Sequence, residues 1–123
     1  MRGDIDGKTR FELKIYKILE TFRAKNQGYS PGGDAWRNFR ECESFGVPTE
    51  QGVMVRMSDK WMRLVSLIQS PDNDRVGESI IDTLEDLSVY SLILACIIEE
   101  KRECQTAKPM TRLVRWLRQS LRL

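Results

Sequence analysis

Apolar residues recur every three or four positions along most of this chain, and nowhere do they alternate convincingly with polar ones. That spacing predicts helices and no strands. Residues 1–8 read as a loose lead-in. Thr9 then stands as a helix cap, with Glu12 three residues on completing a capping-box pattern. Phe11, Ile15, Ile18, Leu19 and Phe22 follow at helical intervals until Gly28. The breaker-rich loop GYSPGG comes next, and Asp34 opens a short helix carrying Trp36 and Phe39 that ends at Gly46 and Pro48. From Thr49, the residues Val53, Met57, Trp61, Leu64, Val65 and Ile68 form one continuous stripe. The segment SPDND, residues 70–74, is a turn, with Asp74 as the expected cap of the longest helix, running to about Arg102. Pro109 occupies the first position of a last helix toward Leu123. The expected fold is all-α: a four-helix bundle-like domain over 1–104 and a basic amphipathic helix over 105–123.

A chain of 123 residues suffices for one domain and is short for two. It contains no histidine, so a Ser-His-Asp triad, an imidazole base and a histidine-ligated zinc site are excluded within one chain. Cys42, Cys96 and Cys104 form no CxxC pair, which favours a reducing compartment over a disulfide framework. The N-terminus has no signal-peptide core. The longest apolar run, Leu92–Ile98, falls well short of the roughly 18–20 residues that span a bilayer. A cytoplasmic protein is expected. The net charge of +2 is uneven: all 18 acidic residues lie at or before Glu103, leaving that part at −3 and the last 20 residues at +5.

The candidate chemistry lies in ESIIDTLEDLSVY, residues 78–90. At 100° per residue, Glu78, Asp82, Glu85 and Asp86 share a sector of about 100°. Like charges at these spacings repel by about 0.2–0.5 kcal/mol per pair, and Arg75 is the only base on that face. The simplest reading is a solvated charged face. Against it, the same face continues as Val89 and Ile93, and the remaining faces are apolar as well, as in an interior helix. Carboxylates there need compensating cations or a metal ion. On the preceding helix Asp59 is a further possible ligand. Its neighbours Arg56, Lys60 and Arg63 are either its surface partners or, for Lys60 and Arg63, groups reaching toward phosphates. Oxygen ligands alone select Mg²⁺ or Mn²⁺.

DKWMRL, residues 59–64, followed after a turn by ESIIDTLEDLSVYSLI, residues 78–93, resembles the all-α nucleoside triphosphate pyrophosphohydrolases, the MazG-like superfamily. The segment GYSPGGDAWRNF, residues 28–39, is similar to a phage-associated branch linked to nucleotide modification. The resemblance spans roughly residues 10–100. It implies a helical bundle that dimerises or tetramerises, and Mg²⁺-dependent attack of water on the α-phosphorus of a nucleotide, yielding a monophosphate and pyrophosphate. By position, Glu78 and Asp82 match the second acidic motif, Asp86 stands one turn on, and Asp59 stands where the first acidic helix contributes. The superfamily's usual Glu-x-x-Glu is here reduced to Asp59, and Glu78 and Asp82 are four apart instead of three. The implied site therefore has Asp59, Glu78, Asp82 and Asp86 around the ion and Glu85 as a catalytic base. Lys60, Arg63 and Arg75 would take the phosphates, and Asn38 and Tyr29 the base. Trp36, Phe39 and Trp61 read as core.

The C-terminal segment PMTRLVRWLRQSLRL lines up Leu113, Leu117 and Leu121 opposite Arg115, Arg118 and Arg122. It reads first as a helix docking its leucines on the bundle or on another subunit. Its alternative partners across residues 108–122 are nucleic acid, an acidic protein or a membrane surface. Two functions stay open: a Mg²⁺-dependent nucleotide pyrophosphohydrolase, and a non-catalytic nucleotide-binding or interaction protein on the same scaffold.

Overall fold

A computed structural model of the chain describes residues 5–26, 35–73, 79–106 and 109–121. Among them are five helices and no strand: α1 (Gly7–Asn26), α2 (Arg37–Arg40), α3 (Thr49–Gln69), α4 (Ile80–Thr106) and α5 (Pro109–Ser120), with 3-10 turns at Glu41–Phe45 and Pro71–Asn73. The all-α expectation holds. No helix is long and apolar enough to cross a membrane among these residues.

The centre of the fold is the antiparallel pair α3–α4. Along α3, Val53, Met57, Lys60, Leu64 and Leu67 repeat at steps of four and three; along α4, Thr83, Asp86, Tyr90, Ile93 and Ile97 do the same. Each of these residues is buried or half-buried. Two such lines interlock as in a coiled-coil seam. The ion pairs Lys60–Asp86 and Lys101–Glu50, both 2.8 Å, set the opposed direction. Val53, Ile93 and Ile97 are the buried nucleus, with Phe22, Trp36, Phe39, Met57, Val89, Tyr90 and Leu94 packed around it.

The first helix starts two residues before the expected cap. Asp6, not Thr9, caps it: its carboxylate accepts the backbone N–H groups of Lys8 (2.9 Å) and Thr9 (3.1 Å) and the Thr9 hydroxyl (2.8 Å). An aspartate oxygen reaches two free N–H groups of the first turn at once, which the threonine hydroxyl at 9 does not. The short helix expected from Asp34 is a single α turn at Arg37–Arg40 that tightens into the 3-10 turn and stops at Gly46, whose φ of 79° only glycine adopts freely. Gly52 lets that turn lie against α3, since a Cβ there would stand 2.6 Å from Cys42 Sγ.

The expected cap Asp74 lies outside the described residues. At Ser79, the hydroxyl accepts the Asp82 N–H (3.0 Å), while the Asp82 carboxylate accepts the Ser79 hydroxyl (2.9 Å) and N–H (3.3 Å). This is a reciprocal capping box at the start of α4.

Some apolar positions expected to be interior are open. On α3, Val53, Met57, Leu64 and Val65 of the stripe are buried or half-buried as expected, but Trp61 and Ile68 are exposed and Leu67, outside the stripe, is buried, because α4 packs on the edge of the stripe away from Trp61. On α1, Phe11, Ile15 and Leu19 are exposed and only Ile18 and Phe22 of the stripe are half-buried. On α4, Ile81, Leu84 and Leu92 face away from α3 and are exposed. The described side chains of α5 are exposed, and α5 makes no packing contact with another described element, so no docking of its leucines on the bundle is seen.

Candidate functional site

The α3–α4 seam has apolar residues at most of its positions but a lysine and an aspartate in its middle. Lys60 and Asp86 meet there at 2.8 Å, both with most of their side chains covered. One residue earlier, Glu85 leaves the seam and turns toward α1, because successive residues on a helix diverge by 100°. Its Oε1 accepts Lys14 Nζ at 2.8 Å and Lys17 Nζ at 3.1 Å. The Glu85 side chain is only 18% exposed, so some of its hydration is lost. The hydrogen bonds from Lys14 and then Lys17 outweigh that loss and hold its carboxyl below the usual glutamate range.

These two carboxylates border a cleft of about 240 Å³ between α1, the α2 turn, α3 and α4. Ile18, Thr21, Phe22 and Lys25 line it from α1; Trp36, Asn38 and Phe39 from the α2 turn; Arg56 from α3; and Val89, Tyr90 and Ile93 from α4 beside the two acids. Its aromatic groups are ordered by their own geometry. Phe39 stands edge-on to Tyr90 with ring centres 6.1 Å apart, and Phe22 lies 6.4 Å from Trp36. Trp36 Nε1 donates to Glu100 Oε1 at 3.0 Å, which pins the turn to α4. The Arg56 guanidinium sits 4.8 Å over the Phe39 ring and donates to the Asn38 carbonyl at 3.3 Å.

The structure thus brings Glu85, Asp86 and Asn38 to one cleft, pairs Lys60 with Asp86 beside it, and leaves Asp59, Asp82 and Arg63 off it. Asp82 belongs to the capping box, whose Ser79 hydroxyl lowers the Asp82 pKa. Asp59 is exposed and does not line the cleft; its neighbour Lys60 is the residue of that turn that faces α4. Arg63 is half-buried on α3 and also lies off the cleft. Tyr29, Arg75 and Glu78 lie outside the described residues. Among the described residues no three or more carboxylate or thiol groups gather closely enough to hold a metal ion.

Sequence reasoning passed over the cations that matter here. Lys14, Lys17, Thr21 and Lys25 form a polar line along α1 at steps of three and four. The signal was present: an acidic stripe with almost no base on its own helix must draw its counter-charges from another. By sequence Arg56 reads only as a surface partner of Asp59, because nothing local announces that α2 folds over it.

No protein-family model, curated protein or solved structure matches the chain.

Proposed function

We propose that the cleft binds a nucleoside phosphate. One observation carries this reading: the cations Lys25 and Arg56 and the polar Asn38 share a cleft with Phe22, Trp36, Phe39 and Tyr90. Aromatic faces take a planar base, and fixed cations take phosphate oxygens. The cleft is smaller than the roughly 300–1,000 Å³ of pockets that enclose a whole drug-sized ligand. It therefore accommodates the base, with the phosphates at its mouth.

A second reading, hydrolysis of a (deoxy)nucleoside triphosphate to monophosphate and pyrophosphate, is favoured by the adjacency of Glu85 and Asp86 at this cleft. Mg²⁺ is held in nucleotide sites by one or two carboxylates plus substrate phosphates, and the oxygen donors of Glu85 and Asp86 fit that need. The ion, when bound, would supply neutralisation of the phosphate charge and a more acidic water. Lys14, Lys17 and Lys60 now hold those carboxylates, so hydrolysis requires them to turn from the acids to the incoming phosphates. Metal-free binding requires no such exchange, and it is the reading the geometry supports best.

Calorimetric titration of dNTPs and NTPs, with and without Mg²⁺, tests binding. Arg56→Ala should weaken it about tenfold or more, as expected for loss of one charge-assisted contact. Pyrophosphate release that Asp86→Asn abolishes would establish hydrolysis, and binding without release would leave the binding module alone. A folded protein that neither binds nor cleaves any nucleotide refutes both readings.

A further inference from the structure

Helix α5 separates its apolar and cationic residues more cleanly than any other element of the chain. The Leu121 N–H donates to the Leu117 carbonyl at 2.9 Å, so the helical turn reaches that residue. At about 100° per residue, Trp116, Ser120, Leu113, Leu117, Leu121 and Val114 succeed one another through a sector of about 160°. Arg118, Arg115 and Gln119 fill the remainder, and Ser120 is the one polar residue on the apolar side. In the sequence, Arg112 and Arg122 extend the arginine line at steps of three and four, and no acid follows Glu103. Leu113, Val114, Trp116, Leu117 and Leu121 are all exposed, and α5 packs on no other described element.

An occupant has to satisfy both faces at once. A second α5 would cover the leucines but bring arginines against arginines. Nucleic acid would neutralise the arginines through its phosphates and leave the leucines and Trp116 in water. A bilayer of anionic lipid takes both: acyl chains receive the apolar face and headgroup phosphates the arginines. The borders of the apolar sector fit that depth. Arg118 stands just beyond Val114 at one edge, within reach of phosphates, and Trp116 forms the other, where indoles settle at membrane interfaces. The helix has 12 residues, about 18 Å in length, which suits lying along the surface and not crossing it.

We propose that α5 attaches this chain to an anionic lipid surface, lying in the plane of the interface with Leu113, Leu117 and Leu121 inserted. The chain up to Glu103 carries net negative charge and is not drawn to such a surface. Attachment therefore falls to α5, where apolar area and positive charge supply the two signals that stable anchoring requires.

Co-sedimentation of the full chain with vesicles tests the proposal, using phosphatidylcholine with about 30 mol% phosphatidylserine against phosphatidylcholine alone. Binding to the anionic vesicles is expected, about tenfold or more tighter than to the neutral ones and weakening as salt rises. Arg115→Gln with Arg118→Gln should weaken it roughly fivefold for each charge removed. Leu117→Gln, at the centre of the apolar sector, should weaken it about tenfold or more, and Leu117→Met should retain it. Leu92→Gln, on the exposed face of α4, should bind as wild type does. Helical circular dichroism should be the same in every variant, because the substituted side chains pack on no other described element. A wild-type chain that does not sediment with anionic vesicles overturns the proposal, as does one that instead binds duplex DNA in fluorescence anisotropy. Vesicle binding that survives Leu113→Gln with Leu117→Gln overturns it too, since charge alone would then hold the chain.

Discussion

Helix α4 is gripped on two sides in two different ways. Against α3 it interlocks through apolar side chains, with Val53 and Thr83 wholly buried and Ile93 and Ile97 nearly so. Against α1 its most defined contact is ionic, from Lys14 and Lys17 to Glu85, and both lysines are substantially exposed. Apolar burial yields roughly 1.5–3 kcal/mol per large side chain, whereas exposed ion pairs contribute about 0–1 kcal/mol and are screened by salt. We therefore expect the seam to be the rigid part and α1, anchored on the nucleus mainly through Phe22, the movable wall. The proposed binding cleft lies between the two, where a ligand can enter without breaking the core.

The sharpest way to break this contrast is at the nucleus. Ile93→Ala should lower unfolding stability by about 2–5 kcal/mol, measured by urea denaturation, and should destabilise α3 and α4 together. Gly52→Ala tests the α2 turn, which closes the cleft from above. The added methyl meets Cys42 Sγ at 2.6 Å and should cost about 1–3 kcal/mol. Ser79→Ala removes half of the capping box and should cost about 1 kcal/mol, confined in hydrogen exchange to the first turns of α4.

The smallest global effect belongs to α1. Lys14→Ala with Lys17→Ala should change stability by less than about 1 kcal/mol while raising amide exchange in α1 well above that in α3. Equal protection of the two helices in this variant would refute the picture of a movable wall. Acid should act in the same direction. The Glu85 carboxyl titrates lower in the folded protein than its ordinary value of about 4.3. Its contribution is thus complete above that value and is lost as pH falls through the lower, folded one. Glu85→Gln should flatten this part of the stability profile, measured by near-ultraviolet circular dichroism.

How much of this was legible beforehand differs from residue to residue. Val53 and Ile93 were readable as core because helical spacing places them on apolar faces whatever the partner. Glu85 and Asp86 were readable as candidates because carboxylates beside apolar faces need partners, whereas Asn38 entered only through the family resemblance. Asp82 is ambiguous for a local reason: an acid three residues after a serine reads equally as a cap and as a ligand, and the structure shows the cap, with hydrogen bonds running both ways between Ser79 and Asp82. Trp61 and Ile68 misled for a long-range one. An apolar stripe says that a face wants cover, and it does not say whether the cover comes from the same chain.

Helix type, the long helices, the acidic face of α4 and the basic, amphipathic character of α5 all came from the order of residues alone, since each depends on chemistry repeated within a few turns. The register of α3 on α4, the pairing of Glu85 with α1 rather than with its own helix, and the meeting of Arg56 with Phe39 and Asn38 were decided only in three dimensions. A helix wheel gives the direction of every side chain about its own axis. Which neighbour stands in that direction is settled by how whole helices pack, and that depends on residues far apart in the chain.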